Sequence, residues 1–244
     1  MRNESSWKPS KFIVRAGQLQ GSRDARQVSR GSRYMARLQA RAYQRLVQDH
    51  ARGDLLDVGA GAVPLYGVYR DLVSSVTCID WGDTLHDRGH LDAVVDLSGP
   101  IPFEDRCFDT ILCTDVIEHL PKPWVLLGEC ARLLRPGGKL LLAVPFMYWL
   151  HEEPHDHHRY TEHRLRGLCE EAGLQVEMLD VLGGGVDVII DLVAKHLKGS
   201  RLASAVWLAA APALAAAGAR LDPKGRSRRR MPLAYTLVAT RPSA

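Results

Sequence analysis

The chain has 244 residues, of which 46% are hydrophobic and 25% are charged, and its formal net charge is only +4. This length and composition predict one globular domain with a sizeable buried core. The five cysteines are odd in number and show no CxxC spacing, which excludes a disulfide framework and a zinc knuckle and suits a reducing compartment.

The chain begins with a basic arm, residues 1–32. The opening residues MRNESSWKPSKF include no apolar segment of the kind found in secretory signals, so we expect a cytoplasmic protein. Residues 1–33 carry eight Lys and Arg against two acidic residues and show no sustained periodicity, which predicts a mobile or lid-like arm. From Arg33 onward, apolar residues recur at helical spacing, so the first helix of a domain over residues 33–244 should begin there.

Short apolar segments then alternate with helical patterns. DLLDVGAGA, VTCID, DAVVDL and FDTILCTD each predict a strand, and PKPWVLLGECARLLRPGGKLLLAVP predicts a helix, a Pro-Gly-Gly turn and a strand. TEHRLRGLCEEAG predicts a helix with Thr161 as N-cap and Gly173 after its end. LQVEMLDV and PLAYTLVAT predict two late strands. This alternation predicts a doubly wound α/β fold with a mostly parallel sheet.

An insert of about 45 residues, 186–230, separates the last two predicted strands and is far longer than a usual loop. Leu202 to Ala219 is a stretch of 18 residues without a charge, and a basic run follows at 224–230. One interpretation is a helical hairpin that covers the sheet edge or forms a homodimer contact. The other is a peripheral patch on the inner face of a membrane, with Trp207 and the arginines at the interface.

Carboxylates follow several of the predicted strands, at the edge where a parallel sheet binds its ligand. They are Asp57, before Gly59 and Gly61, then Asp80, Asp96 and Asp115. A dinucleotide site would need a third glycine where Pro64 stands, and the Asp57 carboxylate would repel a diphosphate. The same carboxylate suits a ligand with an ammonium and a sulfonium group. The alternative is that these aspartates only cap turns.

At these residues the chain resembles the class I S-adenosylmethionine-dependent methyltransferases, in particular the small-molecule group called type 11. The resemblance covers about residues 33–182 and the final strand, and its ordered motifs are LLDVGAG, CID, IPFEDRCFDTILCTDVIEHL and ARLLRPGGKLLLAVP. It implies a Rossmann-like, seven-stranded sheet, mostly parallel with one antiparallel strand near the C-terminus, and S-adenosylmethionine as cofactor. One departure is Val63, since the family often has a third glycine in this turn.

The resemblance also implies which residues bind the cofactor. The methionine end would contact Asp57, Gly59 and Gly61, with Thr114 and Asp115 at the border of the acceptor site. Asp80 would bind the ribose. The adenine would meet Trp81, Asp96 and Leu97.

Nucleic-acid partners are disfavoured by two absences from the sequence. No Asn/Asp-Pro-Pro-aromatic motif follows the fourth strand, where CTDVIEHL stands instead, and this argues against methylation of DNA bases. The basic arm has no interleaved aromatic residues, which argues against RNA as a partner.

The segment HEEPHDHHRYT, residues 151–161, follows the fifth strand and is called the histidine loop below. In the first interpretation one histidine, oriented by Asp156, is the general base for the acceptor, and the candidates are His155, His158 and then His151. In the second, histidines and carboxylates bind a divalent ion that positions a sugar diol or a catechol. In the third, the loop is structural, the role we assign to its Arg-Tyr-Thr end. We favour the base and assign no residue to a metal.

The sequence as a whole therefore predicts an enzyme that transfers a methyl group from S-adenosylmethionine to an oxygen or nitrogen of a small molecule. A sugar, a glycan precursor and a secondary metabolite are the acceptors considered. The alternatives are an RNA methyltransferase and a non-catalytic protein that binds S-adenosylmethionine.

Overall fold

A computed structural model of the chain describes residues 1–82 and 89–243. Its strands are β1 Phe12–Arg15, β2 Gln18–Gly21, β3 Asp54–Val58, β4 Ser75–Asp80, β5 Ala93–Val94, β6 Phe108–Thr114, β7 Leu134–Pro145, β8 Gln175–Leu182 and β9 Ala234–Thr240. Its α-helices are α1 Arg33–His50, α2 Tyr66–Tyr69, α3 Pro123–Leu133, α4 Glu162–Glu171, α5 Gly185–His196, α6 Arg201–Leu221 and α7 Arg226–Arg230.

The central sheet has seven strands in the order β5-β4-β3-β6-β7-β9-β8. Neighbouring strands from β5 to β7 are parallel, whereas β9 is antiparallel to both β7 and β8. The Rossmann-like fold predicted from the sequence, with one antiparallel strand near the C-terminus, is confirmed. The carboxyl ends of β3, β4, β6 and β7 all lie at one edge of the sheet.

Helices cover both faces of this sheet, which explains the continuous apolar segments of the strands. Leu56 and Val58 point to a core shared with α3 and α4, while Leu55, the residue before them in β3, points to the core beneath α1. The helix after the histidine loop begins and ends as predicted: the Thr161 hydroxyl accepts a hydrogen bond from the Arg164 N–H at 3.3 Å, and Gly173 has a φ of +79°. A cap of this kind contributes about 1 kcal/mol.

The basic arm contains a β-hairpin, β1 and β2, which the sequence did not predict. Phe12 and Leu19 are buried with Tyr43 of α1, and the Gln44 side chain bonds the hairpin backbone at Leu19 and Gly17. Each strand offers only one well-buried apolar side chain, too few for a visible alternation. The hairpin holds the arm over the ligand-binding edge of the sheet.

The insert forms a hairpin of α5 and α6, followed by the short helix α7. α5 packs against α1 and the turn Arg30–Ser32, and the Trp207 indole of α6 donates to the Ile190 carbonyl at 2.9 Å. The contact with the edge strand β8 comes from α7, whose Arg228 donates to the Val181 carbonyl at 2.9 Å. Among the described residues, one helix, α6, is long and apolar enough to cross a membrane, and 17% of its most apolar window is buried.

Candidate active site

A cavity of about 460 Å³ lies beyond the carboxyl ends of β3, β6 and β7, between the sheet, α1, the basic arm and the histidine loop. This volume is in the range that holds a small-molecule ligand. The predicted site residues that line the cavity are Asp57, Gly59, Gly61, Thr114, Asp115 and His151. The cavity is also lined by His119 and Glu152, which lie close to His151.

The glycine turn, residues 59–63, takes a left-handed backbone at three positions. Gly59 has a φ of +65°, Gly61 of +52° and Val63 of +49°. Glycine adopts this region freely, but a β-branched residue there is strained. Val63 thus keeps the conformation that the family's third glycine would favour, and the Trp7 indole of the basic arm donates to its carbonyl at 3.1 Å.

Asp57 is buried at the bottom of the cavity, and the Tyr69 hydroxyl donates to its carboxylate at 2.7 Å. Burial raises the pKa of Asp57 to about 7; the Tyr69 hydrogen bond lowers it, and the nearby Asp80 carboxylate raises it. The carboxyl group therefore changes charge near neutral pH. A cationic ligand in the cavity would favour the ionised form.

Asp80 is also buried and accepts hydrogen bonds from two backbone N–H groups, those of Gly61 at 2.9 Å and Trp81 at 2.8 Å. It therefore fixes the glycine turn from behind. The Asp96 side chain is exposed and accepts from the Ser98 N–H at 2.8 Å, as in an ordinary turn, and Leu97 is buried in the core. Of these predicted cofactor residues, Asp80, Trp81, Asp96 and Leu97 do not line the cavity, and Asp80 adjoins it through the N–H of Gly61.

Asp115 is at the centre of a hydrogen-bond network that the sequence did not reveal. Its carboxylate accepts from Gln39 Nε2 at 3.0 Å and from the Tyr43 hydroxyl at 2.9 Å, and Lys11 of the basic arm forms an ion pair with it at 3.2 Å. Gln39 and Tyr43 are four residues apart on the buried face of α1. That spacing of polar groups on an apolar face was the one signal available in the sequence.

His151 is the candidate base that reaches the cavity. Its ring Nδ1 lies 3.2 Å from Asp156 Oδ2, and the Arg159 guanidinium forms hydrogen bonds of 2.5 and 2.7 Å with the same carboxylate. Although burial raises the pKa of Asp156, the hydrogen bonds from Arg159 and His151 lower it well below its usual range. Burial, and next the neighbouring His119, lowers the pKa of His151.

The two histidines ranked first in the sequence lie elsewhere in the loop. His155 is exposed, and its ring packs edge-on against Trp81, with centroids 4.9 Å apart. The His158 ring packs against Tyr160, with centroids 5.3 Å apart. Neither lines the cavity, so His151 is the member of the predicted catalytic set that the structure places at its wall. Asp156 does not line the cavity and contacts the His151 ring from outside it.

Glu118 lies behind the two histidines of the wall, in the turn Ile117–His119. It is fully buried, and neither carboxylate oxygen has a hydrogen-bond partner among the residues that the structure describes. Its Oε1 is 3.7 Å from His119 Nε2 and 4.0 Å from His151 Nε2. Burial, and next the Asp115 carboxylate, raises the pKa of Glu118 well above its usual range.

Comparison with known proteins identifies the family of the chain. The family described as "Methyltransferase domain" matches residues 32–179. Ubiquinone biosynthesis O-methyltransferase of Xanthomonas oryzae pv. oryzae is 33% identical over 109 residues, which are 39% of this chain and 44% of that protein. The match thus spans less than half the length of this curated relative.

Two solved structures share the fold over most of the chain. The [4+2]-cyclase SpnF has a TM-score of 0.57 at 18% identity and covers 85% of this chain and 84% of its own. An S-adenosylmethionine dependent methyltransferase from Mesorhizobium loti has a TM-score of 0.55 at 13% identity, and the match covers 85% of this chain and 100% of that protein's chain. At such low identity these likenesses show the fold alone, and one fold can serve several reactions. The family match, which covers more than half of the residues, identifies this chain as a member of the methyltransferase-domain family.

Proposed function

We propose that this enzyme methylates a hydroxyl oxygen of a small-molecule acceptor that binds between the glycine turn and the wall formed by His119 and His151. The observation that carries the proposal is the cavity itself, which has a buried carboxylate and a glycine turn at one end and imidazoles at the other. The Xanthomonas relative is named as an O-methyltransferase, which supports oxygen as the acceptor atom.

The residues present fit S-adenosylmethionine. Asp57 offers a carboxylate to an ammonium or sulfonium group, and Asp80 offers one to ribose hydroxyls, with Trp81 beside it for the adenine. A Cβ built on Gly59 would lie 2.4 Å from Val116 Cγ2, so this backbone position is closed to any side chain. A backbone without a side chain can approach a ligand closely.

The protein's own part in the reaction is binding, orientation and control of the acceptor's proton. The bound cofactor supplies a methyl group that is already activated on a sulfonium sulfur, so position accounts for much of the rate. Lys11, Gln39 and Tyr43 fix Asp115 at the border of the cavity. The wall of His119 and His151 then meets the hydroxyl group that must lose its proton.

A transfer assay tests the function directly. S-adenosylmethionine with a labelled methyl group is incubated with the full chain and with catechols, simple phenols, sugars, amines or RNA. We expect label in an O-methylated catechol or diol and none in RNA. Label that enters only amines or RNA, or label that enters no acceptor although the cofactor binds, would contradict the proposal.

Replacing Asp80 by alanine should weaken binding of S-adenosylhomocysteine by roughly 1.5–3 kcal/mol, because the ribose hydroxyls lose a charged acceptor. The change also removes the acceptor for the Gly61 and Trp81 N–H groups, so the loss of binding free energy should lie near the upper end of this range. Calorimetric titration measures it, with Asp71→Ala, an exposed carboxylate outside the cavity, as control. Equal affinities for the two variants would rule out the ribose assignment.

Affinity for S-adenosylhomocysteine should rise as the pH increases through about 7, where Asp57 becomes ionised. Below that pH the buried carboxyl group is protonated and cannot attract the ligand's ammonium group. Because the folded state holds this proton more tightly than the unfolded state, the free energy of unfolding of the free protein should fall as the pH rises from about 4 to about 7. Titrations across this range should show both trends in the wild type and neither in Asp57→Asn.

We also propose that α6 rests on an anionic membrane at the inner, cytoplasmic face. Trp207, Ala211 and Gly218 pack toward α5, whereas Leu202, Val206 and Leu221 on other sides of the helix are 76%, 63% and 87% exposed. A helix with so apolar a free face buries it in a bilayer or against a second protein. The arginines of α7 at one end of the face favour anionic lipid over a second copy of the same positively charged surface.

The protein should therefore co-sediment with anionic liposomes at low salt, and reversing the charge of Arg226, Arg229 and Arg230 should release it. Each basic residue near such a surface contributes about 1 kcal/mol. Arg228 is kept because it bonds the Val181 carbonyl. Reversal of Arg41 and Arg45, exposed on α1, is the control. A wild type that stays in the supernatant and sediments as a dimer in the ultracentrifuge would favour the homodimer instead.

A further inference from the structure

Three side chains at the wall of the cavity have the geometry of a metal site. One potential ligand atom from each of Glu118, His119 and His151 lies within 4.8 Å of the other two. Two ligands bound at about 2.2 Å to one ion are at most about 4.4 Å apart. The distances from Glu118 Oε1 to the Nε2 atoms of both histidines, 3.7 and 4.0 Å, are below that limit.

Glu118 supplies an independent observation. Its carboxylate is fully buried and aimed between the two imidazoles, yet neither oxygen is hydrogen-bonded within the described ranges 1–82 and 89–243. A buried carboxyl group without a partner is costly, and such groups in native proteins are paired, hydrogen-bonded or bound to a metal. A general base at His151 would leave this cost unexplained, whereas a cation beside Glu118 would remove it.

The surroundings of both imidazoles fit the same role. His119 Nδ1 lies 2.9 Å from the carbonyl oxygen of His155, to which it can only donate. His151 Nδ1 faces Asp156, which Arg159 holds in place. Metal-binding histidines commonly direct their second nitrogen to a carbonyl or carboxylate in this way. Both rings therefore keep Nε2 for a ligand on the side of Glu118.

We propose that Glu118, His119 and His151 bind one divalent transition-metal ion, and that the open positions of this ion bind a pair of neighbouring oxygens on the acceptor. The inference rests on the methyl transfer proposed above and narrows its acceptor to a catechol or a vicinal diol. Three protein ligands facing a cavity are typical of a catalytic site that keeps positions for substrate. Two imidazoles with one carboxylate favour zinc, manganese or iron over magnesium or calcium.

The bound ion would hold the acceptor in position and would also promote the loss of its hydroxyl proton. A hydroxyl group bound to a divalent ion has a lowered pKa and releases its proton to solvent. The deprotonated oxygen then forms a bond to the methyl carbon as the carbon–sulfur bond breaks, and the electron pair of that bond remains on sulfur. The products are the methyl ether, S-adenosylhomocysteine and one proton.

The test measures binding of Mn²⁺ alone to the full chain without a histidine tag, by the loss of the free-ion signal in electron paramagnetic resonance. We expect one Mn²⁺ per chain, displaced by Zn²⁺. Glu118→Gln and His151→Asn should each weaken binding by at least about 10-fold, because a ligand is lost. His157→Asn, an exposed histidine of the same loop, should bind as the wild type does. Thermal unfolding confirms that each variant is folded.

Binding of S-adenosylhomocysteine is measured on the same samples, so that the two proposals can fail separately. A wild type that binds S-adenosylhomocysteine but neither Mn²⁺ nor Zn²⁺ would overturn the metal site and leave the methyl transfer standing. Unchanged Mn²⁺ binding in folded Glu118→Gln and His151→Asn would overturn it too. Mn²⁺ binding that depends on these residues in a protein without affinity for S-adenosylhomocysteine would support the metal site and contradict the proposed function.

Discussion

Replacing Gly59 by valine should abolish binding of S-adenosylhomocysteine, with a loss of more than about 100-fold in affinity. Gly59 has a φ of +65°, and its Cβ would lie 2.4 Å from Val116 Cγ2. The left-handed conformation costs a side-chain-bearing residue roughly 1–2 kcal/mol, and the overlap adds about 1–3 kcal/mol. The turn can relieve both only by moving, and it then no longer presents Asp57 and its own backbone to the ligand.

Gly173→Val is the matched control for this variant. Gly173 also has a positive φ, +79°, but no atom lies within 4 Å of its Cβ position, and it follows α4 outside the cavity. The Gly173→Val protein should lose stability because of the backbone strain, and it should keep its affinity for S-adenosylhomocysteine. Gly59→Ala, a smaller change at the same position, gives a graded loss if the valine variant does not fold. Normal binding by a folded Gly59→Val protein would show that the cofactor site lies elsewhere.

Replacing His151 by alanine should lower kcat by about 10²–10⁴ and leave the affinity for S-adenosylhomocysteine within a few fold. The effect is large because the ring faces the cavity and is held by Asp156, so it acts on the acceptor either as a base or through a bound ion. The separation of effects follows from position. In the proposed site the carboxylates at the strand ends would bind the donor, and the histidine loop lies at the opposite wall.

His157→Ala is the control for the histidine loop, since this side chain is exposed in the same segment. Steady-state rates with the acceptor found in the transfer assay, and calorimetry with S-adenosylhomocysteine, give the two quantities. If His151→Ala keeps its kcat and only unfolds at a lower temperature, the loop is structural. If kcat falls for His155→Ala or His158→Ala and not for His151→Ala, the ranking made from the sequence is correct and the geometric one is wrong.

The sheet could be predicted from the sequence because each strand carries its own signal. Apolar segments such as LLDV and TILCT are followed directly by a glycine and an aspartate, and this pattern can be read within each strand without reference to distant residues. The histidine loop has no such periodicity. The local sequence does not indicate which histidine ring of the loop points to the cavity. In the structure His151 lines the cavity, whereas His155 packs against Trp81.

Residues that reach the site from distant segments were also beyond prediction. Lys11 meets Asp115 across 104 positions of the chain because the β1–β2 hairpin packs on α1. Glu118 reads in the sequence as one more polar residue of DVIEHL, and its significance lies in being fully buried without a partner among the described residues. Such facts depend on tertiary packing, which a pattern of polar and apolar residues does not contain.

The most direct test of the proposed site is a crystal structure of the full chain with S-adenosylhomocysteine. We predict the ligand in the cavity, with its amino-acid end at Asp57 and the glycine turn, its ribose hydroxyls on Asp80, and its sulfur directed toward the wall of His119 and His151. A ligand bound elsewhere would contradict the account. So would one in this cavity with its sulfur turned away from that wall.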